Sequence, residues 1–127
     1  MATIADHLVG GADVRFATGD HLFRTGDVAD HFYLIRHGTV ALDLVAGGRP
    51  HVIETLHDGE IAGFSWLFDP HRWLFDGRAV HDTEATMFLA ADQRLDGEVM
   101  RHFAAIAVSR LQAARLQLLD VYGSAGR

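Results

Sequence analysis

The sequence predicts a mainly β domain carrying one long C-terminal helix, and three observations predict it. From Val14 to about Ala90, short apolar runs are separated by Gly-Asp pairs and glycine turns, the pattern of an all-β sandwich or barrel. Within those runs apolar side chains alternate, with Val40, Leu42 and Leu44 on one face and Ala41, Asp43 and Val45 on the other. After Asp92 glycines nearly stop, and the helix formers Ala, Leu, Arg and Gln continue to Gly123.

Taken in order, the turn marks are Gly19-Asp20, Gly26-Asp27, Gly38, Gly47-Gly48, Asp58-Gly59 and Gly63. Between them strands are predicted over Asp13–Ala17, His21–Arg24, His31–Arg36, Thr39–Val45, His51–Leu56, Gly77–His81 and Ala85–Ala90. Short helical turns are expected around Ala62–Phe68. The domain reading is an N-terminal segment 1–12, a β domain 13–91, a helix 92–122 and a tail 123–127. No repeat or linker marks a second domain.

In the helix, Met100, Ala104, Ala107, Leu111, Ala114, Leu118 and Val121 step by four and three alternately, a heptad seam suited to a parallel dimer. A second stripe, Val99, Phe103 and Ile106, lies beside its start. Two stripes at one end and one beyond suggest that the start packs on the β domain while the rest meets another helix. The alternative is a helix that folds back over its own sandwich. Arg110 and Arg115 flank the seam at g and e positions, where a dimer brings like charges together unless an acidic group or anion lies between.

Composition narrows the function. The chain has 127 residues, enough for one full core but too short for a sensor plus an effector. With 17 acidic residues against 11 basic ones, all arginine, its net charge is −6, the wrong balance for gripping duplex DNA. Cysteine is absent, which removes disulfides, thiol nucleophiles and cysteine-ligated metals. There is no leader-like or membrane-length apolar run, so a cytoplasmic protein without direct nucleic-acid or membrane contact is expected. Nine histidines include no His-x-His pair of the kind a cupin metal site needs, and the serines Ser65 and Ser109 sit in no nucleophile elbow. Without lysine no P-loop is possible. A non-enzymatic protein without a metal is expected.

The run Phe16-Ala17-Thr18-Gly19-Asp20-His21-Leu22-Phe23 through Phe32-Tyr33-Leu34-Ile35-Arg36-His37-Gly38-Thr39-Val40 closely resembles the first strands of cyclic nucleotide-binding domains, the sensor half of the catabolite activator and fumarate–nitrate regulator families. Leu56-His57-Asp58-Gly59-Glu60-Ile61-Ala62-Gly63 and Arg78-Ala79-Val80-His81-Asp82-Thr83-Glu84-Ala85 look like later strands of that fold. The resemblance implies an eight-stranded β-roll, a double-stranded β-helix or jelly roll, with a C-terminal dimerisation helix. The run Phe64-Ser65-Trp66-Leu67-Phe68-Asp69-Pro70-His71-Arg72-Trp73 also looks like a variant cassette of stand-alone bacterial members of the family.

In that family a phosphate-binding cassette runs from a Gly-Glu pair to an Arg; the glutamate takes the ribose hydroxyl and the arginine the cyclic phosphate. Aligned on Gly63 and Ala79, this sequence puts Phe64 at the glutamate position and Trp73 at the arginine position. Two missing charge-assisted hydrogen bonds amount to about 3–6 kcal/mol, or roughly two to four decades of affinity. Arg72, one residue from the arginine position, is the candidate substitute. The expected ligand-binding residues are Gly63, Phe64, Ser65, Trp66, Arg72, Trp73, Leu74 and Phe75. Three functional readings stand: a weak cyclic AMP or cyclic GMP sensor using Arg72, a sensor of an apolar small molecule, and a filled-site scaffold answering to a partner protein. In each, the resemblance implies a homodimer whose cassette shifts a hinge near Asp92–Gly97 and so re-presents the helix.

Overall fold

The computed structural model describes residues 4–125, with side chains as far as Asp120. Eight strands form two four-stranded antiparallel sheets. A short helix α1 (Ile4–His7) precedes β1 (Ala12–Phe16), β2 (His21–Phe23), β3 (His31–His37), β4 (Val40–Ala46), β5 (Arg49–Leu56) and β6 (Ile61–Ala62). A 3-10 turn at Ser65–Leu67 leads to β7 (Asp76–Ala79) and β8 (Thr83–Leu89), and a second at Ala90–Asp92 leads towards α2 (Gly97–Ala125). One sheet has the order β1-β8-β3-β6 and the other β2-β7-β4-β5, the expected β-roll.

Local chemistry fixes these elements. The Gly47-Gly48 loop has φ of 62° and 74°, the double left-handed conformation of a type I′ hairpin, and it closes the Ala46–Arg49 pair of β4 and β5. Pro50 is tolerated because β5 is an edge strand. Aspartates at the turns accept backbone amides: Gly38 N–H to Asp58 at 2.9 Å, Thr18 N–H to Asp82 at 2.9 Å and Thr25 N–H to Asp76 at 2.7 Å. Between the sheets lie Phe23, Tyr33, Ile35, Val40, Leu42 and Leu56, all buried. Burial pushes the Tyr33 phenol up to about 12, so it remains a neutral donor to the Leu22 carbonyl.

Three expectations are revised. The strand β6 (Ile61–Ala62) is absent from the expected strands and takes the first residue of the expected 62–68 segment, within which the helical turn is confined to Ser65–Leu67. The helix begins at Gly97 rather than at 92, because the Asp96 carboxylate caps it by accepting the Val99 amide at 3.0 Å. It continues to Ala125 through most of the expected tail.

The helix seam also divides differently. Val99, Phe103, Ala107, Arg110 and Ala114 are buried against the chain's own β-roll. Of the seven expected seam residues, Ala107 and Ala114 thus belong to the core, Met100, Ala104 and Leu111 are exposed, and Leu118 is half-buried. The Val121 side chain lies outside those described. Arg110 is a correction: it turns inwards at 3% exposure and pairs with Glu54, so only Arg115 of the two arginines is on the outer surface. The exposed apolar stripe is Met100, Val108, Leu111 and Leu119, about a third of a turn from the buried one.

Candidate functional site

The cassette begins where β6 ends. Gly63 turns the chain with φ of +107°, and Phe64 carries it into the 3-10 turn. The returning segment is pinned to the β2–β3 turn. Gly26 N–H donates to the Trp73 carbonyl at 2.9 Å, Trp73 N–H to that of Asp27 at 3.0 Å, and Ala29 N–H to that of His71 at 2.8 Å. This ladder turns the Trp73 side chain inwards and leaves the neighbouring side chains of Arg72 and Leu74 outside.

Trp73 fills the space between the sheets. Its ring stacks on Phe23 with centroids 4.1 Å apart and meets His31 edge-on at 5.5 Å. A Cβ on Gly63 would lie 2.8 Å from the same ring, so the indole rests on the bare glycine. What remains of the chamber is about 10 Å³ of free space, room for one water at most.

Five of the eight expected ligand residues line this chamber: Gly63, Phe64, Ser65, Trp73 and Phe75. Three do not. Trp66 packs away from it, stacked on Phe32 at 5.0 Å and edge-on to Phe103 of α2 at 5.0 Å, with its indole N–H unpartnered among the described residues. Arg72 is exposed, and its guanidinium reaches the Gly26 carbonyl at 3.4 Å on the outer surface. Leu74 is 46% exposed and faces an open apolar groove of about 530 Å³ along α2, shared with Leu44, Leu111 and Leu119.

Sequence reasoning missed Phe23, Leu42 and Arg110, which complete the chamber wall. Arg110 is the one charged residue among the lining side chains, and it comes from the helix rather than the cassette. Its Nε donates to Glu54 at 3.2 Å and its Nη2 to the Ile61 carbonyl; Nη1 is buried with no partner among the described residues. Burial holds the guanidinium below its ordinary range, with Glu54 opposing, yet an arginine stays charged. Its signal in the sequence is spacing: position 110 falls on the same helical face as Phe103, Ala107 and Ala114.

Ser65 is 4% exposed, and its hydroxyl oxygen accepts the Leu74 amide at 3.3 Å. No carboxylate lines the chamber among the described residues, and Arg110 is its one cation. Nor do any three His, Asp or Glu side chains among them group to hold a metal ion. No helix among the described residues is long and apolar enough to cross a membrane.

Comparison with known proteins agrees with this architecture. The chain is 25% identical over 115 residues to the HTH-type transcriptional regulator Cmr of Mycobacterium tuberculosis, covering 86% of this chain but only 46% of that regulator. FixK2 of Bradyrhizobium japonicum superposes with a TM-score of 0.70 at 17% identity, over 87% of this chain and 57% of FixK2. The catabolite activator protein of Thermus thermophilus gives 0.61 at 26% identity, over 90% of this chain and 54% of that protein. The family model described as the cyclic nucleotide-binding domain matches residues 13–94, from β1 past the end of the β-roll, and the chain belongs to that family.

Proposed function

We propose that the chain is a non-enzymatic, cytoplasmic regulatory module whose inherited chamber is closed to cyclic AMP and cyclic GMP by its own aromatic rings. The observation that carries this reading is Trp73, whose ring lies stacked on Phe23 and against Gly63 and leaves about 10 Å³. A cyclic phosphate entering here would be buried against Phe64, Phe75 and Trp73, without a cassette arginine to offset its desolvation. Arg72 does not fill that role, because its side chain is engaged on the far side of the ladder.

The module acts as a homodimer through the outer stripe of α2, with a small molecule or a partner protein biasing the cassette and the helix together. Supporting this, Val108, Leu111 and Leu119 are 57%, 47% and 59% exposed and lie on one side of the helix. It makes no direct contact with nucleic acid, in keeping with a net charge of −6.

Titration calorimetry with cyclic AMP and cyclic GMP at millimolar concentration is the test. No heat is expected, and micromolar binding by the wild-type chain would overturn the reading. For the dimer, sedimentation of Leu111→Glu/Leu119→Glu should give a monomer with unchanged circular dichroism; a dimer that survives would move the interface elsewhere.

A further inference from the structure

Arg110 stands between two spaces. It lines the closed chamber, and it also lines a groove of about 310 Å³ on its other side, with Glu54, Glu60, Ile61 and His102. Glu54 takes Nε and the Ile61 carbonyl takes Nη2, and both residues line the groove; Nη1 is the guanidinium nitrogen left without a partner among the described residues. A buried donor without an acceptor is costly, and native interiors rarely carry one without a use. Ser65 adds a second donor: its oxygen accepts from Leu74, and its hydroxyl proton remains free to turn towards an acceptor.

The charges around Arg110 decide what kind of acceptor fits. Glu54 is in hydrogen-bond contact, and Glu60 acts on the guanidinium from the same groove. His102, facing the same groove, is pushed below the ordinary histidine range by burial and then by the Arg110 charge, which disfavours a second cation there. Two carboxylates therefore already outweigh one guanidinium, and a third anion, phosphate or carboxylate, would be repelled. An uncharged carbonyl oxygen takes the Nη1 donor without that penalty. The shape of the body follows from the ring it must replace: the slot between Phe23, His31 and Gly63 is flat, and an indole fills it.

We propose that the chamber is the site of an uncharged, planar aromatic or heteroaromatic molecule bearing a carbonyl acceptor, which displaces the Trp73 ring and hydrogen-bonds to Arg110 Nη1 and Ser65. This deepens the reading above, since it rests on a chamber that takes no cyclic nucleotide. The residue that recognises the ligand then lies on α2, so occupancy is felt directly by the helix.

The test uses the full chain with Trp73→Ala, which opens the slot and leaves Arg110 intact, and three flat probes in titration calorimetry: 2-naphthamide, 2-naphthoate and 2-methylnaphthalene. The amide should bind about tenfold or more tighter than the other two, one hydrogen bond to a charged donor better than the hydrocarbon. It should also bind the wild-type chain, more weakly, with a shift of the Trp73 indole N–H resonance. Arg110→Met in the Trp73→Ala background should erase the amide's advantage over methylnaphthalene; if that variant does not fold, the ranking of the three probes decides alone. Equal binding of methylnaphthalene, tightest binding of naphthoate, or no heat from any probe would each overturn the assignment. Cyclic AMP titrated in parallel reports separately on the earlier reading: its binding would sink that one and leave the probe ranking to be judged by itself.

Discussion

Trp66 and Trp73 come from the same short cassette and end in different kinds of interior. Trp66 joins Phe32, Phe88 and Phe103 in a cluster that clamps α2 to the β-roll, with ring centroids 5.0–5.5 Å apart. Trp73 stacks on Phe23 beside a buried guanidinium and a serine hydroxyl. The first cluster is structural core, and removing a ring from it leaves an apolar cavity. The second surrounds the small chamber at Gly63, with polar groups in its wall. Aromatic composition does not separate the two; position relative to Gly63 and Arg110 does.

That contrast can be broken most sharply by restoring charge to the second cluster. Phe64→Glu with Trp73→Arg supplies both family contacts, and cyclic AMP affinity measured by calorimetry should rise by about two to four decades, the equivalent of roughly 3–6 kcal/mol. No rise would mean that these two positions do not occupy the glutamate and arginine places. Next in size is the stability difference between the tryptophans. Trp66→Ala should cost about 4–5 kcal/mol in urea unfolding, whereas Trp73→Ala should cost about 3 kcal/mol or less, because its cavity is polar enough to admit water. Equal losses would put both rings in the same class.

A smaller effect sharpens the fit between ring and turn. Gly63→Ala should destabilise the wild-type chain by about 1–3 kcal/mol, through the 2.8 Å contact with Trp73 and the strain of a left-handed turn. In the Trp73→Ala background the contact disappears and the strain stays, so the two substitutions should couple by about 1 kcal/mol. Smallest is a pH effect far from either cluster. The Gly38 amide, followed by His37, holds the Asp58 carboxyl below its ordinary 3.8. The unfolded chain therefore takes up this proton first as pH falls, so the stabilisation is complete above the ordinary carboxylate range and is lost as pH drops through the lowered folded value. Asp58→Asn should flatten the acid limb of a plot of stability against pH by that one group.

Most of the β-roll was legible because glycine turns and alternation are local signals. β6 was not, since two residues carry no period and Ile61–Ala62 acquires its conformation by pairing with Tyr33 and Leu34. Gln93, Arg94 and Leu95 suit a helix, but the Asp96 cap, a local signal three residues ahead of Val99, sets the start at Gly97. For the site, Phe64 and Trp73 were readable from their spacing to Gly63 and Ala79, while the inward turn of Trp73 and the outward turn of Arg72 and Leu74 depend on the ladder to residues 26–29. Arg110 was assigned to a coiled-coil flank because a heptad template and a 3.6-residue face diverge along a helix of this length. The 3.6-residue face that holds Phe103, Ala107 and Ala114 is the better guide, and the contact with Glu54 on a distant strand agrees with it.

The grip of Arg110 on the Ile61 carbonyl has a mechanical meaning. Ile61 lies just ahead of Gly63, so the rod and the mouth of the chamber share a rivet, and neither slides without tugging the other. In the mode of action proposed above, a force applied at the exposed leucines of α2 would reach the segment that leads into Gly63 through this contact.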